Sequence, residues 1–193
     1  MLHFLGKRLA RLPLRDNAGG AMIEFGFAMP LLLILFMGGL ELGRFVLLHA
    51  KLDRTAMTVS DLVARVTSLT TAELDTIFAA TNLVMAPFSM GGRGVVIVSS
   101  VTDTGSGAIV SWQHSGVGTL SVTSEIGALG DNAALSDAAM VSPTNGGVII
   151  GETYFDYSPW LIDLIPSTRL RHIAIFRPRL NGAVVCTDCP SPP

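Results

Sequence analysis

Hydrophobic and polar positions follow three regimes along the chain. From Phe25 to Leu40 apolar residues run almost without a break. Glu41 interrupts them, and they resume at Leu42 and from Phe45 to Leu48. A membrane-spanning helix needs ~20 mostly apolar residues. Phe25–Leu40 alone falls slightly short, and extension to Leu48 makes the run long enough, with Glu41 and Arg44 placed at i and i+3 to pair near the outer interface. Beyond Leu48 the pattern becomes periodic. Leu52, Ala56, Val59, Val63 and Val66 recur at steps of four and three, while Lys51, Asp53, Arg54, Asp61 and Arg65 lie off that stripe. This predicts an amphipathic helix that continues the apolar one.

The third regime is mixed. Thr70-Thr-Ala-Glu73 reads as a capping box opening a second helix, with Leu74, Ile77, Phe78 and Leu83 inward and an end before Pro87. Gly94–Val101 and Ala108–Gln113 flank a Thr-Asp-Thr-Gly-Ser-Gly turn and predict a hairpin. Ser115–Gly147, rich in Gly, Ser, Ala and Asn, predicts a long irregular connection with a short helix near Ala133–Met140. Val148–Tyr157 and Arg169–Phe176 predict two more strands, joined by a loop that starts at Ser158-Pro-Trp160. One face of such a sheet packed on the helices makes an α+β head.

Composition sharpens this picture. The 193 residues are 49% hydrophobic, and enough chain follows the apolar run for one modest domain with its own core. Net charge is −2, and the few aromatics do not interleave with Lys or Arg, so nucleic acid is not an expected partner. The charge is uneven. Lys7, Arg8, Arg11 and Arg15 against Asp16 leave the segment before Gly20 at +3, and its removal takes the chain from −2 to −5. Basic residues just before an apolar span hold that end in the cytoplasm, so the remainder is expected on the far side of the membrane.

Candidate chemistry is sparse. Gly-x-Ser-x-Gly, His-Glu-x-x-His and paired acids beside a histidine do not occur. Asp103, Glu125, Asp131, Asp137, Glu152, Asp156 and Asp163 are isolated and read as solvated carboxylates. The turn at Met90–Gly94 lacks the Lys-Ser/Thr of a phosphate loop. Cys186-Thr-Asp-Cys189 fits a small disulfide ring, a redox dithiol or half of a metal site. Pro190 stops any helix whose N-terminus would activate a thiol, and His3, His49, His114 and His172 are too scattered to complete a zinc site. A structural disulfide is the expectation, with no metal and no cofactor.

The most informative stretch is Gly19-Gly-Ala-Met-Ile-Glu24-Phe25, between the basic leader and the apolar run. A carboxylate at the edge of a lipid-type segment is costly, by roughly 2.5–3.5 kcal/mol on insertion scales. Gly19 and Gly20 lack a Cβ, so an extended chain here can enter a narrow cleft. Taken alone, Glu24 reads as a helix-start residue and Gly19-Gly20 as a plain linker. The whole string, however, resembles the processing site of type IV pilins, in the Flp/Tad variant with Gly, four residues, Glu and an aromatic. The following Phe25-Gly-Phe-Ala-Met-Pro-Leu-Leu-Leu and Glu41-Leu-Gly-Arg44 are similar to TadE-like pseudopilins. More loosely, Val148–Tyr157 with Ser158-Pro159 is similar to a family strand ending in Tyr-x-Pro, and Arg177-Pro-Arg179 to an Arg-Pro-Arg element before the C-terminus.

The resemblance implies cleavage after Gly19 by a prepilin peptidase, with Gly20, Glu24 and Phe25 as recognition residues. It further implies helix-packing roles for Glu24, Gly26, Pro30, Gly38, Gly39, Glu41, Gly43 and Arg44. The expected architecture is α+β: a long N-terminal membrane-spanning helix continuing into an amphipathic helix, packed on a small, mostly antiparallel β-sheet head. The expected division is a cleaved cytoplasmic leader over 1–19, a transmembrane helix over 20–48 and a periplasmic head over 49–193. The implied partners are the peptidase, other pilin or pseudopilin subunits, the Tad assembly platform and the bacterial inner membrane. The implied function is assembly of an adhesive Flp/Tad pilus rather than catalysis. The rival readings are a signal-anchored periplasmic enzyme with no recognisable site and a tethered thiol oxidoreductase using Cys186 and Cys189.

Overall fold

The computed structural model describes residues 18–190 except Thr104, Ser106 and Asn145, together with Pro192. The basic leader through Asn17, with its cleavage-site flank, lies outside the described residues, as do Thr104 and Ser106 of the predicted hairpin turn. Helix α1 covers Ala18–Ala64, 47 residues, about 70 Å at 1.5 Å per residue. Pro30 lies inside it. The helix ends by tightening its last turn, where Arg65 N and Val66 N donate to Leu62 O and Val63 O, three residues back. Val66, expected on the inward stripe, therefore lies beyond the helix and is exposed.

The two halves of α1 have different surroundings. Over 19–40 nearly every side chain is exposed, including Phe27, Phe36 and Leu40. From Glu41 onward one stripe is buried: Glu41, Leu48, Leu52, Ala56, Val59 and Val63. Those steps of seven, four, four, three and four keep one helix face on the head.

Strand β1 (Ser68–Leu69) leads to α2 (Thr71–Met85), which opens with the predicted capping box. Thr70 Oγ1 accepts from Glu73 N, and Thr70 N donates to Glu73 Oε2. The buried positions of α2 are Leu74, Phe78, Thr81 and Met85. Leu83, expected inward, is exposed, because the period set by Leu74 and Phe78 continues through Thr81 rather than through Leu83.

The main sheet has the order β3-β2-β4-β5, with all neighbours antiparallel. Its strands are β2 (Gly94–Asp103), β3 (Ala108–Gly116), β4 (Val148–Tyr157) and β5 (Thr168–Phe176). α1 packs on β4 and β5, and α2 on α1 and β3. The opposite face is covered by the irregular connection after β3, whose Ile126 and Val141 pack with Val101, Val110, Val148 and Ile150. A short 3-10 turn at Ala138–Met140 is the helical element in that connection. The result is α+β in three layers, which is why β4 reads as a continuous apolar run: both of its faces are buried. At Gly151 the sheet and α1 approach so closely that a Cβ would meet Ser60 Oγ and Ala56 O. A last short strand, β6 (Val185–Cys186), pairs in parallel with β1, a contact the sequence pattern does not foretell.

Candidate functional site

The residues of the candidate processing string stand at the bare end of α1. Gly19 and Gly20 occupy its first turn, in helical rather than extended conformation. Glu24 follows Gly20 by four residues, so the two share one helix face a turn apart. Glu24 and Phe25 are exposed, and among the described residues the Glu24 carboxylate has no partner. A Cβ placed at Gly26, Gly39 or Gly43 would meet nothing within 4 Å, whereas at Gly38 it would lie 3.6 Å from Leu164 and 3.7 Å from Ile162. Gly39 and Gly43, four apart, line a groove with Leu40, Leu47, Phe88 and Trp160.

The second carboxylate of the helix is in the opposite condition. Glu41 is fully buried, in a socket made by the end of β4 and the loop after it. Tyr157 Oη donates to Glu41 Oε1. Trp160 N and Leu161 N donate to Oε2 at 3.1 and 2.9 Å. Arg44 Nη1 stands 3.8 Å from Oε1, and its guanidinium lies over the rings of Phe88 and Trp160, 5.5 and 6.0 Å from their centroids. Phe45 meets the Tyr157 ring edge-on at 4.9 Å. A buried charge is tolerated when it is paired and hydrogen-bonded, and these donors satisfy that condition. Burial first, then the bond to Glu41, pushes the Tyr157 hydroxyl up to about 12, so it remains a donor across the working pH range.

The far end of the packed half is also held by the head. Arg179 donates its backbone N to Ala64 O at 2.9 Å, and its guanidinium pairs with Asp61, as does that of Arg65. The bond from Arg65, with Arg179 beside it, holds the Asp61 carboxyl below the usual range. Between these ends His49 of α1 and His172 of β5 share a hydrogen bond, Nδ1 to Nε2, at 2.9 Å. Burial first, and His49 second, push the His172 imidazole down, while Asp53 opposes the shift.

Sequence reasoning paired Glu41 with Arg44 but missed Tyr157, Trp160 and Leu161 as the socket. A signal was present, since Tyr157-Ser-Pro159 already resembles a family strand end. Sequence reasoning also misplaced Glu152. It is buried rather than solvated, accepting from Tyr154 Oη at 2.7 Å, Arg171 Nη2 at 2.7 Å and Ser124 Oγ. The reason is the third layer: the connection covers the outer face of β4 and brings Ser124 over it. Asp156, also expected as a solvated carboxylate, pairs with Arg169 at 2.6 Å.

The sulfurs of Cys186 and Cys189 are bonded to each other. Their ring presents Asp188 to the start of α2, where it accepts from Thr71 N at 2.7 Å and Thr71 Oγ1 at 2.8 Å. Thr187 N donates to Leu69 O. Cys186, Asp188 and Cys189 also group their potential metal-ligating atoms, but the S–S bond occupies both sulfurs and Asp188 is committed to Thr71.

Residues 19–60 match the family model described as TadE-like protein. Over that stretch the chain is similar to TadE-like proteins. No curated protein and no solved structure matches the chain. The matched segment includes the candidate processing string, the bare apolar half of α1 and the socketed Glu41, and ends at Ser60. The head that closes over Glu41 lies beyond the match.

Proposed function

We propose that the protein is a minor pilin, or pseudopilin, needed for assembly of a Flp/Tad-type adhesive pilus. The observation that carries this reading is the TadE-like match beginning at Gly19, where the Gly-x4-Glu-Phe string meets the apolar helix. In this reading a prepilin peptidase cuts after Gly19. The new amino group of Gly20 then stands one helical turn from Glu24, on the same face, and pairs with it or with Glu24 of the next subunit. α1 is long and apolar enough to cross a membrane and serves as a single-pass anchor. The basic leader keeps its N-terminus in the cytoplasm, so the head is periplasmic.

The work of the protein is assembly, not catalysis. When the apolar half of α1 leaves lipid for a bundle of like helices, little hydrophobic energy is gained. Close approach at Gly26, Gly39 and Gly43, whose faces are open, and neutralisation of Glu24 supply the preference for the bundle. The deciding experiment is the N-terminal residue and intact mass of the protein from cells with and without a prepilin peptidase. A chain beginning at Gly20 only when the peptidase is present is the expected result. A chain that starts at Met1 in both strains overturns the proposal.

A further inference from the structure

The loop from β4 to β5 is bracketed by Pro159 and Pro166 and carries the sequence Trp-Leu-Ile-Asp-Leu-Ile between them. Its backbone donates Trp160 N and Leu161 N to Glu41, and Ile165 packs against the core of the head. Neither contact explains why Trp160 and Leu164 are apolar and face outward. Trp160 is 71% exposed and Leu164 58% exposed.

Their position along α1 is informative. Leu164 and Ile162 are the side chains nearest Gly38, three residues N-terminal to Glu41 and hence about 4.5 Å further into the apolar half. Phe36 and Leu40, which flank that contact, are themselves exposed. If α1 is immersed in lipid through Leu40, whatever touches Gly38 is at the membrane boundary as well. Arg44, one helical turn beyond Leu40, lies over Trp160, stands beside Glu41 through Nη1 and keeps about a third of its side chain exposed. Apolar side chains at the boundary, with a tryptophan and an arginine next to them on the water side, match the layering of a bilayer interface. Asp163 is the one acid in the loop, and it is exposed.

We propose that the Pro159–Pro166 loop is a membrane-surface clamp: before assembly Trp160 and Leu164 sit in the lipid interface beside α1, with Arg44 at the phosphate level. This rests on the reading of α1 as a membrane anchor. One helix leaves the head free to tilt and swivel on the membrane, whereas a second point of attachment beside it sets both tilt and rotation. Because the same loop holds Glu41, lifting the subunit out of the bilayer draws on the clamp and the socket together.

The test is tryptophan fluorescence of the full chain reconstituted in phosphatidylcholine–phosphatidylglycerol vesicles, with plain acyl chains or with chains brominated near the headgroup. The only other tryptophan, Trp112, is buried in the head and donates Nε1 to Val184 O. A Trp160→Phe variant measures its background and keeps the socket, which uses only the backbone of residue 160. The expected result is loss of most of the Trp160 signal in brominated vesicles. Vesicle-bound protein with equal Trp160 emission in both lipids overturns the clamp and leaves the anchor standing. Protein that does not float with vesicles at all overturns the anchor, and the clamp with it. Shielding of Trp160 that grows with the protein-to-lipid ratio, without bromine quenching, means that a second copy covers the loop, and this too overturns the proposal.

Discussion

Glu24 and Glu41 lie on one helix, 17 residues apart, and occupy opposite states. Glu24 stands on a bare helix end without a partner among the described residues, while Glu41 is enclosed by its own chain. An acid beside an apolar run therefore has two distinct uses. Where the fold supplies donors, as Tyr157, Trp160 and Leu161 do for Glu41, the acid ties the helix to the head. Where the described residues supply none, as at Glu24, the proposed role of the acid is toward another subunit. The division at Glu41 also shows where the two parts of α1 part company, since full burial under the head starts there and not at Leu48.

The comparison breaks most sharply at Glu41 itself. Glu41→Ala strands a buried hydroxyl, two backbone N–H groups and the Arg44 charge, and should cost about 3–5 kcal/mol of head stability. Urea denaturation in detergent, followed by Trp112 emission in the Trp160→Phe background, measures it. Tyr157→Phe removes one charge-assisted bond and should cost about 1.5–3 kcal/mol in the same assay. Gly151→Ala leaves the socket intact but pushes the sheet off Ser60 and Ala56, for about 1–3 kcal/mol. If it instead proves neutral, the packed half of α1 is not held at a fixed distance from β4.

A smaller effect is expected from acid. His172 has its folded pKa lowered below the ordinary 6.5, so the unfolded chain binds more protons in that window. Stability should be complete above about 6.5 and decline as pH falls from there toward the depressed folded value. His172→Gln should flatten that part of a melting-temperature profile. The smallest effect on folding belongs to Glu24→Val, within about 0.5 kcal/mol as for exposed positions. The same variant should still be cut after Gly19 yet fail to support piliation. Normal pili from it would remove Glu24 from the assembly mechanism.

The legible parts of this protein were those encoded locally. The apolar run, the stripe from Leu52 to Val63, the Thr70–Glu73 capping box and all four long strands follow from periodicity and capping chemistry over a few neighbouring residues. The errors have a common origin. Hydrophobicity points Leu83 and Val66 inward, whereas the helix phase and the helix end leave both exposed. Nothing near Glu152 in sequence announces the layer that covers β4 and buries its carboxylate. The β1–β6 pairing joins residues more than a hundred positions apart.

The sequence alone determined that an apolar helix leads into an α+β head, and it supplied three separate strings: Glu41-Leu-Gly-Arg44, Tyr157-Ser-Pro159 and Arg177-Pro-Arg179. Only the tertiary structure decided that they act on one helix, the second closing over the Glu41 of the first and Arg179 of the third binding Asp61 and Ala64 at the other end of the packed half. The physical reason is that helix and strand periods are set by neighbours along the chain, whereas satisfaction of a buried charge depends on donors brought in by sheet topology from more than a hundred residues away.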